Sequence, residues 1–149
     1  MELKQRFNSG KPANESVLMK RKDDKGSIIL VVEDVHETRD GIEKLLNADG
    51  YRVTLARDEV DAAESAQRQR PDLILVSLAG LQSEVVVIAR RIRERAGTGN
   101  IPVVVFCIGD INEGEEIAIG GNMHVTRPDN FNQLRSLLTR LLHPVPIPV

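Results

Sequence analysis

The stretch 71–80, PDLILVSLAG, decides the fold. Leu73 to Val76 form an unbroken apolar run between a Pro-Asp start and a run of small residues. That length and flanking suit a short strand buried on both faces. Such a strand delivers its next residue to the rim of a sheet, and here that residue is Ser77. A serine hydroxyl is a weak nucleophile unless a neighbouring base activates it.

Similar runs recur on either side. SIILVV (27–32) reads as a first strand, YRVTLA (51–56) as a second, LILV (73–76) as the third, PVVVFC (102–107) as a fourth and MHV (123–125) as a fifth. Between them lie helical patterns. The first spans 36–49, with Ile42, Leu45 and Leu46 as its apolar face and Gly50 at the left-handed C-cap. Asp58 caps a second helix through Arg68, with Asp61 at the capping-box position. The segment 83–95 has three consecutive valines, yet Val85, Ile88, Ala89 and Ile92 share a helical face, and its length favours helix. A brief helix is expected over 112–119. A last helix over 129–142 lines up Phe131, Leu134, Leu138 and Leu141. Apolar strands alternating with helices give a doubly wound α/β parallel sheet with helices on both faces.

At 149 residues the chain suits one domain with one sizeable core. It is 41% hydrophobic and 28% charged, with a net charge of −2, which gives no electrostatic reason to expect nucleic acid. No apolar run approaches membrane-spanning length and no signal-peptide core is present, so the expected compartment is the cytoplasm. One cysteine, Cys107, excludes an internal disulfide. Residues 1–26 carry seven basic and four acidic groups, a net of +3 that leaves −5 for the remainder. This polar leader reads as a disordered arm, 27–143 as the folded domain, and 144–149 as a proline-rich tail.

In doubly wound folds the ligand site lies beyond the C-terminal strand ends. Glu33 and Asp34 end the first strand, a pair of hard oxygen ligands that would suit Mg²⁺ or would simply start a helix well. Ser77 has no G-x-S-x-G elbow around it. Cys107 is either a reactive thiol or a small buried hydrophobe. Arg127-Pro128 follows the fifth strand, a place where a cis-proline can occur.

These residues together carry a resemblance. ILVVEDVHETRDGIEKLLNADGYRVTLARDEVDAAESAQRQRPDLILVSLAG, then NIPVVVFC and GGNMHVTRP, resemble the receiver domain of bacterial two-component response regulators over roughly 27–143. The resemblance implies a flavodoxin-like sheet of five parallel strands in the order 2-1-3-4-5. It implies an acceptor aspartate at the end of strand 3, and this sequence has Ser77 there. The acidic pair that helps hold Mg²⁺ is kept as Glu33 and Asp34. Cys107 stands where the family has a serine or threonine beside the phosphoryl group, and Arg127 where it has a lysine. His124 takes the aromatic switch position, and Leu81 replaces a proline usual after the acceptor.

Three functions are therefore expected to compete. The first is an atypical, pseudo-receiver module, not an enzyme, acting in signal transduction by binding proteins without phosphorylation. It would need no cofactor, its Mg²⁺ site being weakened or lost. Its partner or a second copy would meet the strand 4–helix 4–strand 5–helix 5 face, where His124 could add pH sensitivity. The second is a phosphorylatable receiver with a non-standard acceptor, Asp72 or Ser77. The third is a small α/β enzyme using Ser77 or Cys107 with His124. Arg127, with no phosphoryl group to hold, would either pair with Asp34 or Glu33 or face solvent.

Overall fold

A computed structural model describes residues 26–97, 100–107, 111–128 and 130–143. The expected arm at 1–26, apart from Gly26, and the tail at 144–149 lie outside the described residues. The chain builds β1 (Ile28–Glu33), α1 (His36–Ala48), β2 (Arg52–Ala56), α2 (Glu59–Arg68), β3 (Leu73–Ser77) and α3 (Gln82–Arg95). It continues through β4 (Val103–Phe106), β5 (Glu116–Ile119), β6 (Met123–Thr126) and α4 (Phe131–Leu142). The sheet order is β2-β1-β3-β4-β6-β5, with every pair parallel except β5 with β6.

Because successive strand side chains point to opposite faces, the central strands feed two cores. Leu30, Val32, Ile74, Val76, Val103 and Val105 meet Ala62, Ala66, Val85, Ala89 and Ile92 of α2 and α3. Ile29, Val31, Leu73, Leu75 and Val104 meet Leu46 of α1 and Leu134, Leu137 and Leu138 of α4. Each fully buried aliphatic side chain contributes roughly 1.5–3 kcal/mol. The valine-rich 83–95 segment is helical, as its periodicity predicts, with Val85, Val86, Ala89 and Ile92 inward. On α1 only Leu46 is fully buried; Leu45 is exposed, so the apolar face is narrower than its spacing suggests.

The local signals explain most element ends. Asp58 Oδ1 accepts the Asp61 N–H at 2.8 Å, while Asp61 Oδ2 accepts the Arg57 N–H at 3.1 Å. Gly50 takes φ +94° after α1, the left-handed value a C′ glycine supplies without strain.

Two expectations fail. The segment 112–119 is not a helix, and the sheet has six strands with one antiparallel pair in place of five parallel ones. Residues 112–115 instead form a turn, with the Glu115 N–H donating to the Asn112 carbonyl at 2.9 Å and Gly114 at φ +84°. Ile117 and Ile119 then alternate with Glu116 and Ala118 in β5. Gly120, Gly121 and Asn122 reverse the chain, with φ +72° and +62° at the last two. A Gly-Gly-Asn turn between short β-branched segments is hairpin chemistry, and Gly114 at φ +84° breaks any helix through 112–119. Among the described residues the expected interaction face therefore has no helix 4.

The Arg127–Pro128 bond is not cis; no cis peptide bond occurs among the described residues. The antiparallel ladder continues past β6, since the Arg127 N–H donates to the Glu115 carbonyl at 3.1 Å. The Arg127 carbonyl in turn accepts the Gly114 N–H at 2.6 Å. That pairing holds the chain extended up to the proline.

Candidate functional site

The C-terminal ends of β1, β3 and β4 open on one cleft of about 340 Å³, lined among others by Glu33, Asp34, Thr38, Ser77, Gln82 and Cys107. Strand register places Glu33 directly beside Ser77. Glu33 is buried, whereas Asp34 is exposed. One Glu33 carboxylate oxygen accepts the Val35 N–H at 3.1 Å, and the Glu33 carbonyl accepts Arg39 Nη1 at 2.9 Å. Glu33 is thereby held at the start of α1, the favourable end for a negative charge. Ser77 is half-buried at the rim. Cys107 is buried, with its Sγ 3.9 Å from Gln82 Oε1 across the cleft.

Four of the sequence-predicted positions thus line one cleft: Glu33, Asp34, Ser77 and Cys107. Arg127 does not join them. Its Nη1 donates to the Ile111 carbonyl at 3.3 Å, and it pairs with neither Glu33 nor Asp34. The loop before β5 thus takes up the guanidinium. His124 also stays away. It sits in β6 between Val104 of β4 and Ala118 of β5, half-buried, with Nε2 unpartnered among the described residues. Ser77 and Cys107 therefore share a cleft without a histidine lining it. The sequence reading missed Thr38 and Gln82, whose types and spacing carry no signal by themselves.

Asp72 lies at the other end of β3. Its carboxylate accepts the Ile28 N–H at 2.8 Å, and its own N–H donates to the Ile28 carbonyl at 2.7 Å. Five residues of extended chain separate it from Ser77 by ~16 Å.

The cleft offers a divalent cation two carboxylates, one of them already engaged by a backbone N–H. Mg²⁺ is commonly held by one or two carboxylates and several waters, so Glu33 and Asp34 make a minimal donor set. No group of three or more His, Cys, Asp or Glu side chains that could hold a metal occurs among the described residues. Among them, too, no helix is long and apolar enough to cross a membrane.

A largely parallel α/β sheet with an acidic cleft at its C-terminal edge is the architecture of a receiver, and the chain belongs to the response regulator receiver domain family, whose model matches residues 29–139. Response regulator MprA of Mycobacterium leprae is 28% identical over 118 residues, covering 76% of this chain and 50% of that protein. The aerobic respiration control protein ArcA of Escherichia coli K12 is 28% identical over 122 residues, covering 77% and 50%. The chain spans about half the length of the curated relatives it matches. Among solved structures, the receiver domain of sensor histidine kinase PA1611 from Pseudomonas aeruginosa PAO1 is 29% identical. Its TM-score is 0.59, over 78% of this chain and 98% of that one. That structure holds a magnesium ion coordinated in its active-site cleft. Chemotaxis protein CheY4 of Vibrio cholerae shares the fold at 21% identity and TM-score 0.60, over 77% and 98%. The chain is thus a receiver domain of two-component signalling.

Proposed function

We propose that this chain is a pseudo-receiver: it signals by binding protein partners, without accepting a phosphoryl group. The observation that carries this reading is the neutral Ser77 hydroxyl in register with Glu33, where the family's resemblance calls for an acceptor carboxylate. Serine lacks the charge to complete the metal site, and among the described residues no histidine or lysine lines the cleft to activate it. Glu33 and Asp34 would hold Mg²⁺ only weakly. Bound there, the cation would supply charge neutralisation for an incoming phosphate. Arg127, turned to the Ile111 carbonyl, holds no position from which to grip such a group.

A receiver with another acceptor finds little support. Asp72 is at the wrong end of β3 and its carboxylate is tied to the Ile28 N–H. A hydrolytic or thiol enzyme finds less, because His124 is remote from Ser77 and Cys107.

Intact-mass measurement after incubation with Mg²⁺ and acetyl phosphate tests the proposal. The expected result is an unchanged mass. Stoichiometric gain of one phosphoryl group would overturn it, and peptide mapping would then name the acceptor.

A further inference from the structure

The hairpin that replaces the expected fourth helix leaves β5 as the sheet's outer edge. Antiparallel pairing alternates the direction of backbone groups, and the Arg127 N–H to Glu115 carbonyl bond fixes the phase. Residues 115, 117 and 119 therefore address β6, while the N–H and C=O groups of Glu116 and Ala118 point outward. Neither residue's backbone has a partner on that side among the described residues. Edge strands are usually protected by proline, by lysine or by an inward charge. β5, a short strand of sequence EIAI, has no proline or lysine, and its one charge, the Glu116 carboxylate, is drawn aside by Arg140 Nη2 at 2.8 Å.

We propose that β5 is a self-association edge, on which a second copy of this chain pairs antiparallel about a two-fold axis to join the two sheets. Three features favour a second copy over an unrelated extended peptide. With Ala118 opposite its own counterpart, the outward groups of Glu116 face those of Gly120 in the partner copy, so the same hydrogen bonds form twice. On the face shared with Val125 and Met123, Ile117 then lies opposite Ile119 of the second copy. This covers Ile117, which is 37% exposed in the single chain. The charges also match. The strand's acidic start, Glu113, Glu115 and Glu116, falls beside the other copy's Gly120–Asn122 turn, where Arg93 donates to the Gly121 carbonyl. A parallel pairing would instead set the two acidic starts together. This inference does not depend on whether Ser77 is silent, since it uses only the edge.

Sedimentation of the full chain over a wide concentration range, with amide exchange on the same samples, tests it. The expected result is a reversible shift towards twice the 16.5 kDa chain mass, with the Glu116 and Ala118 amides gaining protection at high concentration. Ala118→Pro removes only an outward N–H, a site where an edge strand tolerates proline. It should leave the circular dichroism spectrum unchanged and abolish the heavier species. Ile117→Glu, at an exposed side chain, should weaken it as well. A chain that stays monomeric throughout overturns the proposal and leaves the edge to a segment of another protein. A dimer that survives Ala118→Pro, or one formed without protection of these two amides, overturns it equally.

Discussion

Glu33 and Ser77 are register neighbours at the ends of β1 and β3, one buried and tied to the Val35 N–H, the other half-buried and neutral. This pairing sets the chemistry of the cleft. Two carboxylates side by side would repel unless a cation lay between them, whereas a carboxylate beside a hydroxyl is stable alone. Ser77→Asp should therefore lower the melting temperature in metal-free buffer, with Mg²⁺ restoring it by preferential binding to the folded state. Mg²⁺ affinity should rise by about tenfold, equivalent to roughly 1.4 kcal/mol. Thermal scans with and without Mg²⁺ check the first point, and calorimetric titration of the two proteins checks the second.

Arg127 gives the complementary prediction. Since its guanidinium reaches the Ile111 carbonyl and not the acidic pair, Arg127→Ala should leave Mg²⁺ affinity unchanged. Its effect should be confined to the loop before β5, read as faster amide exchange around Glu115. A changed Mg²⁺ affinity would mean that the arginine and the acidic pair are coupled.

The α2–α3 contact predicts a pH dependence. Arg91 binds Glu59 through two hydrogen bonds of 2.8 Å, and this pairing holds the Glu59 carboxyl below its ordinary value of 4.5. A carboxyl lowered in the folded state contributes stability above its unfolded pKa, and loses it as pH falls through the folded one. Arg91 is half exposed and Glu59 partly so, and solvent screening keeps the pair's contribution small. Glu59→Gln should lower the melting temperature near neutrality by no more than about 4 °C. The gap from the parent should close as pH drops below 4.5, which thermal scans at several pH values would follow.

The hairpin turn makes a conformational prediction. Asn122 sits at φ +62°, a region asparagine tolerates and β-branched residues avoid. Asn122→Val should cost roughly 1–2 kcal/mol in urea unfolding. Asn122→Gly should cost much less, its loss limited to the 3.3 Å side-chain bond to the Asn100 carbonyl. Near-equal effects of the two substitutions would argue against the hairpin.

The sheet's centre was legible because β1, β3 and β4 are apolar on both faces, a pattern few other arrangements accommodate. The same logic located the cleft, since strand ends are fixed once strands are. The fourth helix was misread because NEGEEIAI contains helix-forming residues, and their period was left to compete unaided with the turn chemistry of GGN. Leu137 was overlooked although it is buried beside Leu134 and Leu138, the stripe on α4 being wider than one i, i+4 row. The position of Arg127 after the last strand leaves it open between pairing with the acidic pair and facing solvent, and the structure shows neither carboxylate as its partner. The loop before β5, which supplies the Ile111 carbonyl that holds it, is a tertiary feature invisible to local pattern.

The most direct test of a phosphorylation-silent cleft is an amide NMR titration with Mg²⁺, followed by beryllofluoride, which mimics a phosphoryl group on aspartate. The account predicts at most weak, unsaturated Mg²⁺ shifts near Glu33 and Asp34, and no further change on adding beryllofluoride. Saturable Mg²⁺ binding, with beryllofluoride shifts at Ser77 spreading to His124, would contradict it.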